Sequence, residues 1–412
     1  MKKIGLFLFG ICFALQMVAQ EQNYFTNPVI RGDVPDPSVI RIEDTYYATG
    51  TSSEWAPFYP MFTSKDLVNW KQVGHVFTKQ PSWTSNSFWA PELFYHNNKV
   101  YCYYTARQKS TGISYIGVAT SDSPLHEFTD HGPIVEYGKE AIDAFIYDDN
   151  GQLYISWKAY GLDTRPIELL GCKLSADGLH LDGEPFTLLV DEKGIGMEGQ
   201  YHFKEGDYYY IVYAAHGCCG PSSDYDVYVA RARNYGGPYE KYSGNPILHG
   251  GEGDYKSCGH GTVVRTSDGR MFYMCHAYLK GDGFFIGRQP ILQEMEMTDD
   301  HWVRFKTGNL AIAEQPIPFV GTKQEPLSDF EDNFKGNQLK VDWTWNYPYS
   351  DIHAVLKKGK LFLSGTPKNN NKYGTALCLR PQSPQYSCET KVINTGKGLK
   401  GLTLYGDDKN LI

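Results

Sequence analysis

The chain offers little from which to build a membrane anchor, a nucleic-acid surface or a zinc site. Beyond residue 20 no apolar stretch approaches the roughly 20 residues that cross a bilayer, which argues against an anchor in the body of the protein. Lys and Arg are nowhere clustered among aromatics, and the formal charge of −8 becomes −10 when Lys2 and Lys3 are removed. Nucleic acid and anionic lipid are therefore poor partners. No Cys and His residues have the paired spacing of a tetrahedral zinc site, and no motif calls for an organic cofactor. Between residues 40 and 280 no long stretch repeats its apolar residues every 3.6 positions, so a helical solenoid is disfavoured.

The first twenty residues stand apart. Met1-Lys2-Lys3, an apolar run from Ile4 to Leu15 and the exit Gln16-Met17-Val18-Ala19-Gln20 have the design of a secretory signal. The run, about twelve residues, is too short to span a bilayer. Cys12 follows Gly10-Ile11, which is not the small-residue context of a lipoprotein cleavage site. The expectation is a secreted or periplasmic protein starting near Gln20 or Glu21, with no membrane attachment after cleavage. Export permits disulfides, although a chain this long does not need them. Cys218-Cys219, set between Gly217 and Gly220, is either a vicinal disulfide or two independent thiols.

What the chain has in abundance is aromatic residues, 31 Tyr, 21 Phe and 8 Trp, which suit β-structure and also suit a pocket for sugar rings. Many fall in a repeated pattern of a polar turn followed by an alternating strand. The copies are Asp44-Thr45-Tyr46-Tyr47, Lys99-Val100-Tyr101-Cys102, Gln152-Leu153-Tyr154-Ile155, Asp207-Tyr208-Tyr209-Tyr210 and Arg270-Met271-Phe272-Tyr273. Tyr46, Tyr101, Tyr154, Tyr209 and Phe272 are separated by 55, 53, 55 and 63 residues. Five near-regular copies of this length, each with several short strands, predict an all-β fold, a five-bladed propeller. A single β-sandwich would not explain the spacing.

About ten residues upstream of each repeat lies a polar residue: Asp36, Trp89-Ala90-Pro91-Glu92, Asp143, Glu198 and His260. If these open the innermost strand of each blade, they converge at one mouth of the central channel. Taken singly, Asp36 before Pro37 reads as a turn residue and Glu198 before Gly199 as a loop carboxylate. Asp143, inside Ala141-Ile142-Asp143-Ala144-Phe145, needs a reason to be buried. Their shared phase supplies one, because crowded carboxyls push their pKa values apart, and a glycosidase needs one carboxyl protonated and another ionised. His260 is either a satisfied core histidine or a site residue, and Trp89 reads as a rim residue.

These segments together resemble glycoside hydrolase family 43 over residues 27–305. The resemblance rests on Asp33-Val34-Pro35-Asp36-Pro37-Ser38, Ser64-Lys65-Asp66-Leu67-Val68-Asn69-Trp70, Trp89-Ala90-Pro91-Glu92, Ile142-Asp143-Ala144-Phe145, Met197-Glu198-Gly199 and Gly259-His260-Gly261. It implies that Asp36 is the general base, Glu198 the general acid and Asp143 the carboxylate that tunes the acid, with inversion at the anomeric carbon. It implies a calcium ion in the channel near His260, and a sugar pocket lined by Trp89, Trp55 and His260, with Arg288 binding hydroxyls. Where many xylosidase-type members have Gly-Pro-His after the acid, this chain has Gly199-Gln200-Tyr201-His202, which alters loop stiffness there.

The resemblance divides the chain into a signal peptide at 1–20, a catalytic propeller at 21–318 and a concanavalin-like β-sandwich at 326–412. The sandwich is read from Leu327-Ser328-Asp329-Phe330-Glu331-Asp332 and Trp343-Thr344-Trp345-Asn346 and is expected to be incomplete. Such a module closes one side of the pocket and favours removal of terminal β-D-xylosyl or α-L-arabinofuranosyl units from xylan, arabinoxylan or arabinan. An endo-acting arabinanase and a non-catalytic glycan-binding propeller are the alternatives, and the latter should have lost one of the three acids. Related sucrose and fructan hydrolases fit less well, because Pro35 precedes Asp36 and no Arg-Asp-Pro occurs.

Overall fold

In a computed structural model the described residues are 23–406, apart from 163, 373, 394, 395 and 397. The expected leader and the last six residues lie outside them. Five four-stranded antiparallel sheets follow one another along the chain as blades. Blade 1 is Ser38–Ile42, Thr45–Thr49, Phe58–Ser64 and Lys71–Phe77; blade 2 runs from Thr84–His96 to Thr129–Val135. Blade 3 runs from Ala141–Asp149 to Phe186–Val190, blade 4 from Glu198–Glu205 to Glu240–Lys241, and blade 5 from Tyr255–Arg265 to Val303–Phe305. The first strand of each blade packs against the first strands of its two neighbours, and blade 5 returns to blade 1. The fold is a five-bladed β-propeller. The only helical turns among the described residues are Lys280–Asp282 and Phe284–Ile286.

The aromatic repeat builds the core between the blades. Each of five apolar clusters is shared by two neighbouring blades: Tyr104 and Phe58 between blades 1 and 2, Trp157 and Tyr103 between 2 and 3, Tyr213 and Leu189 between 3 and 4, Tyr210 and Tyr273 between 4 and 5, and Phe272 and Tyr46 between 5 and 1. A blade that leaves both faces apolar cannot fold alone, which is why the copies come as a closed set. Closure is reinforced by Tyr24–Thr26, which pairs antiparallel with Glu314–Pro316 after the fifth blade and buries Phe25 in the cluster between blades 5 and 1.

Further strands follow the propeller. Trp345–Asn346 pairs with Trp55–Ala56, which precedes the third strand of blade 1, and His353–Leu356 pairs with Leu361–Ser364. Tyr347 packs edge-on against Phe58 and Phe88, at 4.9 and 5.8 Å between ring centroids. Arg380 donates to the Asp33 carbonyl at 3.2 Å and to Gln72 Oε1 at 2.7 Å. The Ser64-to-Trp70 motif has a structural use here. Asp66 Oδ1 accepts from the amides of Val68 and Asn69, and the Asn69 side chain bonds Lys323 O and Glu325 N, fastening the outgoing chain to blade 1.

A common backbone device opens the inner strands. Asp36, Ala90, Asp143, Gly199 and His260 all have left-handed φ, at 55°, 31°, 59°, 60° and 46°. In blades 2 to 5 the pairing register shifts at this point, as it does at a β-bulge. Four non-glycine residues in this sparsely populated region are held there by the surrounding sheet, a use of strain that clusters at functional sites. In blade 4 only glycine fits, since a Cβ on Gly199 would lie 2.5 Å from His260 Cγ. Glu198 therefore sits one residue ahead of the bulge position, as Trp89 does in blade 2, and not in strict phase with Asp36 and Asp143.

Candidate active site

Each bulge turns a side chain toward the same end of the channel. Asp36 from blade 1, Asp143 from blade 3 and His260 from blade 5 meet there, with His260 Nδ1 3.4 Å from Asp36 Oδ1 and 3.8 Å from Asp143 Oδ2. Asp36 accepts from Thr51 Oγ1 at 2.6 Å, and Arg288 Nη1 lies 3.4 Å from its other oxygen. His276 Nδ1 is 3.1 Å from both the Asp36 amide and Asp36 Oδ1. Burial holds the His276 pKa down to about 4, so the neutral ring accepts from the amide. Burial raises the pKa of Asp36, but the charges of Arg288 and His260 outweigh it and hold the carboxyl well below the usual range. Asp36 is thereby held as a carboxylate with both oxygens oriented.

Asp143 and Glu198 are held differently. Asp143 Oδ2 accepts the Gly199 amide at 3.1 Å, while its own amide donates to Thr105 Oγ1 at 3.2 Å. Burial raises its pKa to about 6; His260 lowers it, while the charges of Glu198 and Asp36 add to the rise. Glu198 Oε2 accepts from Lys158 Nζ at 2.6 Å and Oε1 from Tyr225 OH at 2.9 Å. Burial pulls Glu198 upward, but the Lys158 charge and these hydrogen bonds reverse the direction and favour its ionised form. The two acids titrate as a pair, in which burial favours the protonated form of Asp143 and Lys158 the ionised form of Glu198.

Arg288 is half-buried and serves two carboxylates, since its amide also donates to Asp33 Oδ1 at 2.8 Å. Gly287 permits that approach, because a Cβ there would meet Asp33 Oδ1 at 2.2 Å. Trp89 is half-buried beside Ala90, whose amide donates to Thr51 Oγ1 at 2.6 Å, and Arg107 lies over its ring at 5.5 Å. Trp55 is further out, its ring edge-on to Tyr405 at 5.8 Å. Glu92 is not a charged member of the set. It accepts from Ser38 Oγ at 2.7 Å, and burial raises its pKa to about 8.

Calcium takes six to eight oxygen ligands. His260 turns Nδ1 toward two carboxylates, and among the described residues no group of three or more His, Cys, Asp or Glu side chains is arranged to hold a metal. The donor set does not fit a protein-built calcium site, and no chemical step is assigned to the ion.

Two carboxyls whose surroundings pull their pKa values in opposite directions, facing a third at one end of the channel, suit acid–base hydrolysis. The sequence comparison decides the family: the model for glycosyl hydrolases family 43 matches residues 25–303. The chain belongs to glycosyl hydrolase family 43. It is an O-glycosyl hydrolase by that membership.

Among curated family 43 proteins, the chain is 28% identical over 415 residues to a xylan 1,3-β-xylosidase of a Vibrio species, covering 92% of this chain and 76% of the relative. It is 28% identical over 434 residues to the non-reducing end α-L-arabinofuranosidase BoGH43B of Bacteroides ovatus, covering 99% and 78%. A thermostable family 43 glycoside hydrolase of known structure matches with TM-score 0.61 and 27% identity over 75% of this chain and all of its own. The xylan β-1,4-xylosidase structure from Bacillus halodurans matches in fold, with TM-score 0.69 and 24% identity over 87% of this chain and 72% of that one.

Thr51, Lys158, Tyr225 and His276 complete the site and were not among its predicted residues. Lys158 left a signal, a cation inside the apolar strand Ile155-Ser156-Trp157-Lys158-Ala159, the same anomaly that marks Asp143. Thr51 and Tyr225 left none, because a buried hydroxyl is unremarkable in an aromatic β-protein.

Proposed function

We propose that this family 43 hydrolase removes terminal β-D-xylosyl or α-L-arabinofuranosyl units from xylan, arabinoxylan or arabinan oligosaccharides, with inversion. The observation that carries the reading is the meeting of three differently held carboxyls at one end of the channel: Asp36 on Thr51 and Arg288, Glu198 on Lys158 and Tyr225, and Asp143 on the Gly199 amide. The relatives' names include both sugars, which places the chain in the xylosidase and arabinofuranosidase type without choosing between them. The exo mode is supported by the chain after the propeller, which flanks blade 1 through Trp345, Tyr347 and Arg380.

In this mechanism Asp36, ionised and fixed by Thr51 and Arg288, takes a proton from water as it attacks the anomeric carbon. Glu198 delivers the proton that the leaving oxygen needs, and Asp143 stores and returns it. Lys158 keeps Glu198 ionised until a glycoside is present, and Tyr225 fixes its orientation. Proton NMR of the first minutes of hydrolysis of 4-nitrophenyl β-D-xyloside and α-L-arabinofuranoside tests the reading. The expected first product is the α-anomer of xylose or the β-anomer of arabinose. Retention would remove Asp36 from the base role, and no hydrolysis of either would remove the exo-pentosidase reading.

The pair also sets the pH profile. Activity needs Asp36 deprotonated and one proton on Asp143 and Glu198, so kcat/KM should be flat from below about pH 4 and fall above about pH 6. In Lys158→Met the Glu198 carboxyl loses its cation and holds a proton more tightly. Its falling limb should move alkaline by about one unit or more. A limb that stays in place would show that Lys158 does not govern the proton.

A further inference from the structure

We propose that the Cys218–Cys219 disulfide, with Phe284 and Phe285 beside it, forms the apolar wall of the subsite for the leaving sugar and takes the C–H face of a pentose ring. The inference rests on the hydrolase reading above and extends it to a surface that reading leaves unused. The two cysteines are bonded to each other, and Cys219 is exposed. They lie in the loop between the second and third strands of blade 4. That loop leaves the sheet after Ala215, one residue beyond Ala214, the residue paired with Glu198, and so emerges at the carboxylate end of the channel.

Several contacts fix the loop. Gly217 N donates to Asp224 Oδ1 at 2.8 Å, Ser223 Oγ bonds Cys218 O at 3.0 Å and Ser257 Oγ at 2.7 Å, and Gly220 N donates to Tyr278 OH at 3.1 Å. Its far end delivers Tyr225 to Glu198. The disulfide is thereby tied to the proposed acid through one short loop. On its other side Tyr278 stacks on Phe284 at 5.2 Å, and Phe284 and Phe285 are 50% and 58% exposed on the segment that ends in Arg288, the partner of Asp36.

An apolar lip thus runs from blade 4 to blade 5 along the rim nearest the acid, where the departing half of a substrate must lie. Exposed large apolar side chains at a functional rim mark a contact surface. Sugar rings present C–H faces that suit aromatic planes and polarisable sulfur. Two cysteines locked to each other also lose no rotamer freedom when covered, unlike a long flexible side chain.

The test compares substrates with and without a leaving sugar: xylobiose and arabinobiose against β-D-xylosyl and α-L-arabinofuranosyl fluoride, whose leaving group is too small to reach the wall. In Cys218→Ser/Cys219→Ser the ratio of kcat/KM on disaccharide to that on fluoride should fall about tenfold, through KM. Phe285→Ser should lower the ratio in the same direction and gives the answer if the double variant does not fold. Wild type reduced with dithiothreitol and then reoxidised should lose and regain the ratio, since the free cysteines of the propeller are buried. Parallel loss on both substrate types, or an unchanged ratio, would overturn the wall while leaving the hydrolase reading standing. Wild type inactive on every glycoside and fluoride would overturn the hydrolase reading and this inference with it.

Discussion

Asp36→Ala is expected to lower kcat by about 10³-fold or more on every glycoside, with KM changed little. The argument rests on how the carboxylate is held. Thr51 fixes one oxygen at 2.6 Å, while Arg288, His260 and His276 gather around the other at 3.4, 3.4 and 3.1 Å. The Arg288 and His260 charges keep the group ionised well below the usual carboxylate range, so it is available as a base wherever the Asp143 and Glu198 pair holds a proton. Alanine removes the acceptor and leaves the Arg288 charge without one of its two carboxylates. Asp36→Asn separates the effects, because an amide keeps the shape and can still accept from Thr51. Equal loss in both variants, at unchanged melting temperature, is the result expected of a base. An asparagine variant within tenfold of wild type would make Asp36 a structural residue.

The fold could be read from the sequence because its period was written in large aromatic residues. Tyr46 and Tyr101 recur in the apolar clusters between blades, and Tyr154 and Tyr209 pack on Tyr235 where blades 3 and 4 meet; side chains that fill a gap between sheets are hard to vary. The third and fourth strands of the blades were less legible. Their lengths range from the two residues of Glu240–Lys241 to the nine of Gln289–Met297, and short edge strands carry little pattern. The carboxylates were found through the same period, yet Glu198 shows the limit of counting. It lies one residue ahead of the bulge occupied by Asp36, Asp143 and His260, and the unequal turn lengths concealed the difference. A left-handed backbone leaves a visible trace when the residue is Gly199 but none when it is an aspartate.

Residues acting on the acids across blades were beyond sequence. His276 belongs to the second strand of blade 5 and reaches Asp36 of blade 1; Lys158 belongs to the second strand of blade 3 and reaches Glu198 of blade 4. Sequence separations of 240 and 40 residues give no cue that either pair meets. A charge in a buried strand is the one cue by which Lys158 could have been recognised as needing a partner. Only the closed ring supplies the identity of that partner.

Glu198→Ala is expected to lose activity according to the leaving group, by about 10²- to 10⁴-fold on xylobiose or arabinobiose and by less than about tenfold on 2,4-dinitrophenyl pentosides. A dinitrophenolate departs without a proton, whereas a sugar alkoxide does not. Removing the acid therefore costs only the substrates that need it. The resting charge distribution sharpens the test. Lys158 and Tyr225 hold Glu198 ionised, and burial keeps the proton on Asp143, so donation requires a transfer within the pair as the glycoside enters. Asp143→Asn deletes the proton store but leaves Glu198 in place, and it should slow disaccharide hydrolysis while moving the alkaline limb of the profile. If instead Asp143→Asn shows the steep leaving-group dependence and Glu198→Ala shows none, the proton passes directly from Asp143. The roles of the two acids would then be exchanged, with Lys158 stabilising a permanently ionised Glu198.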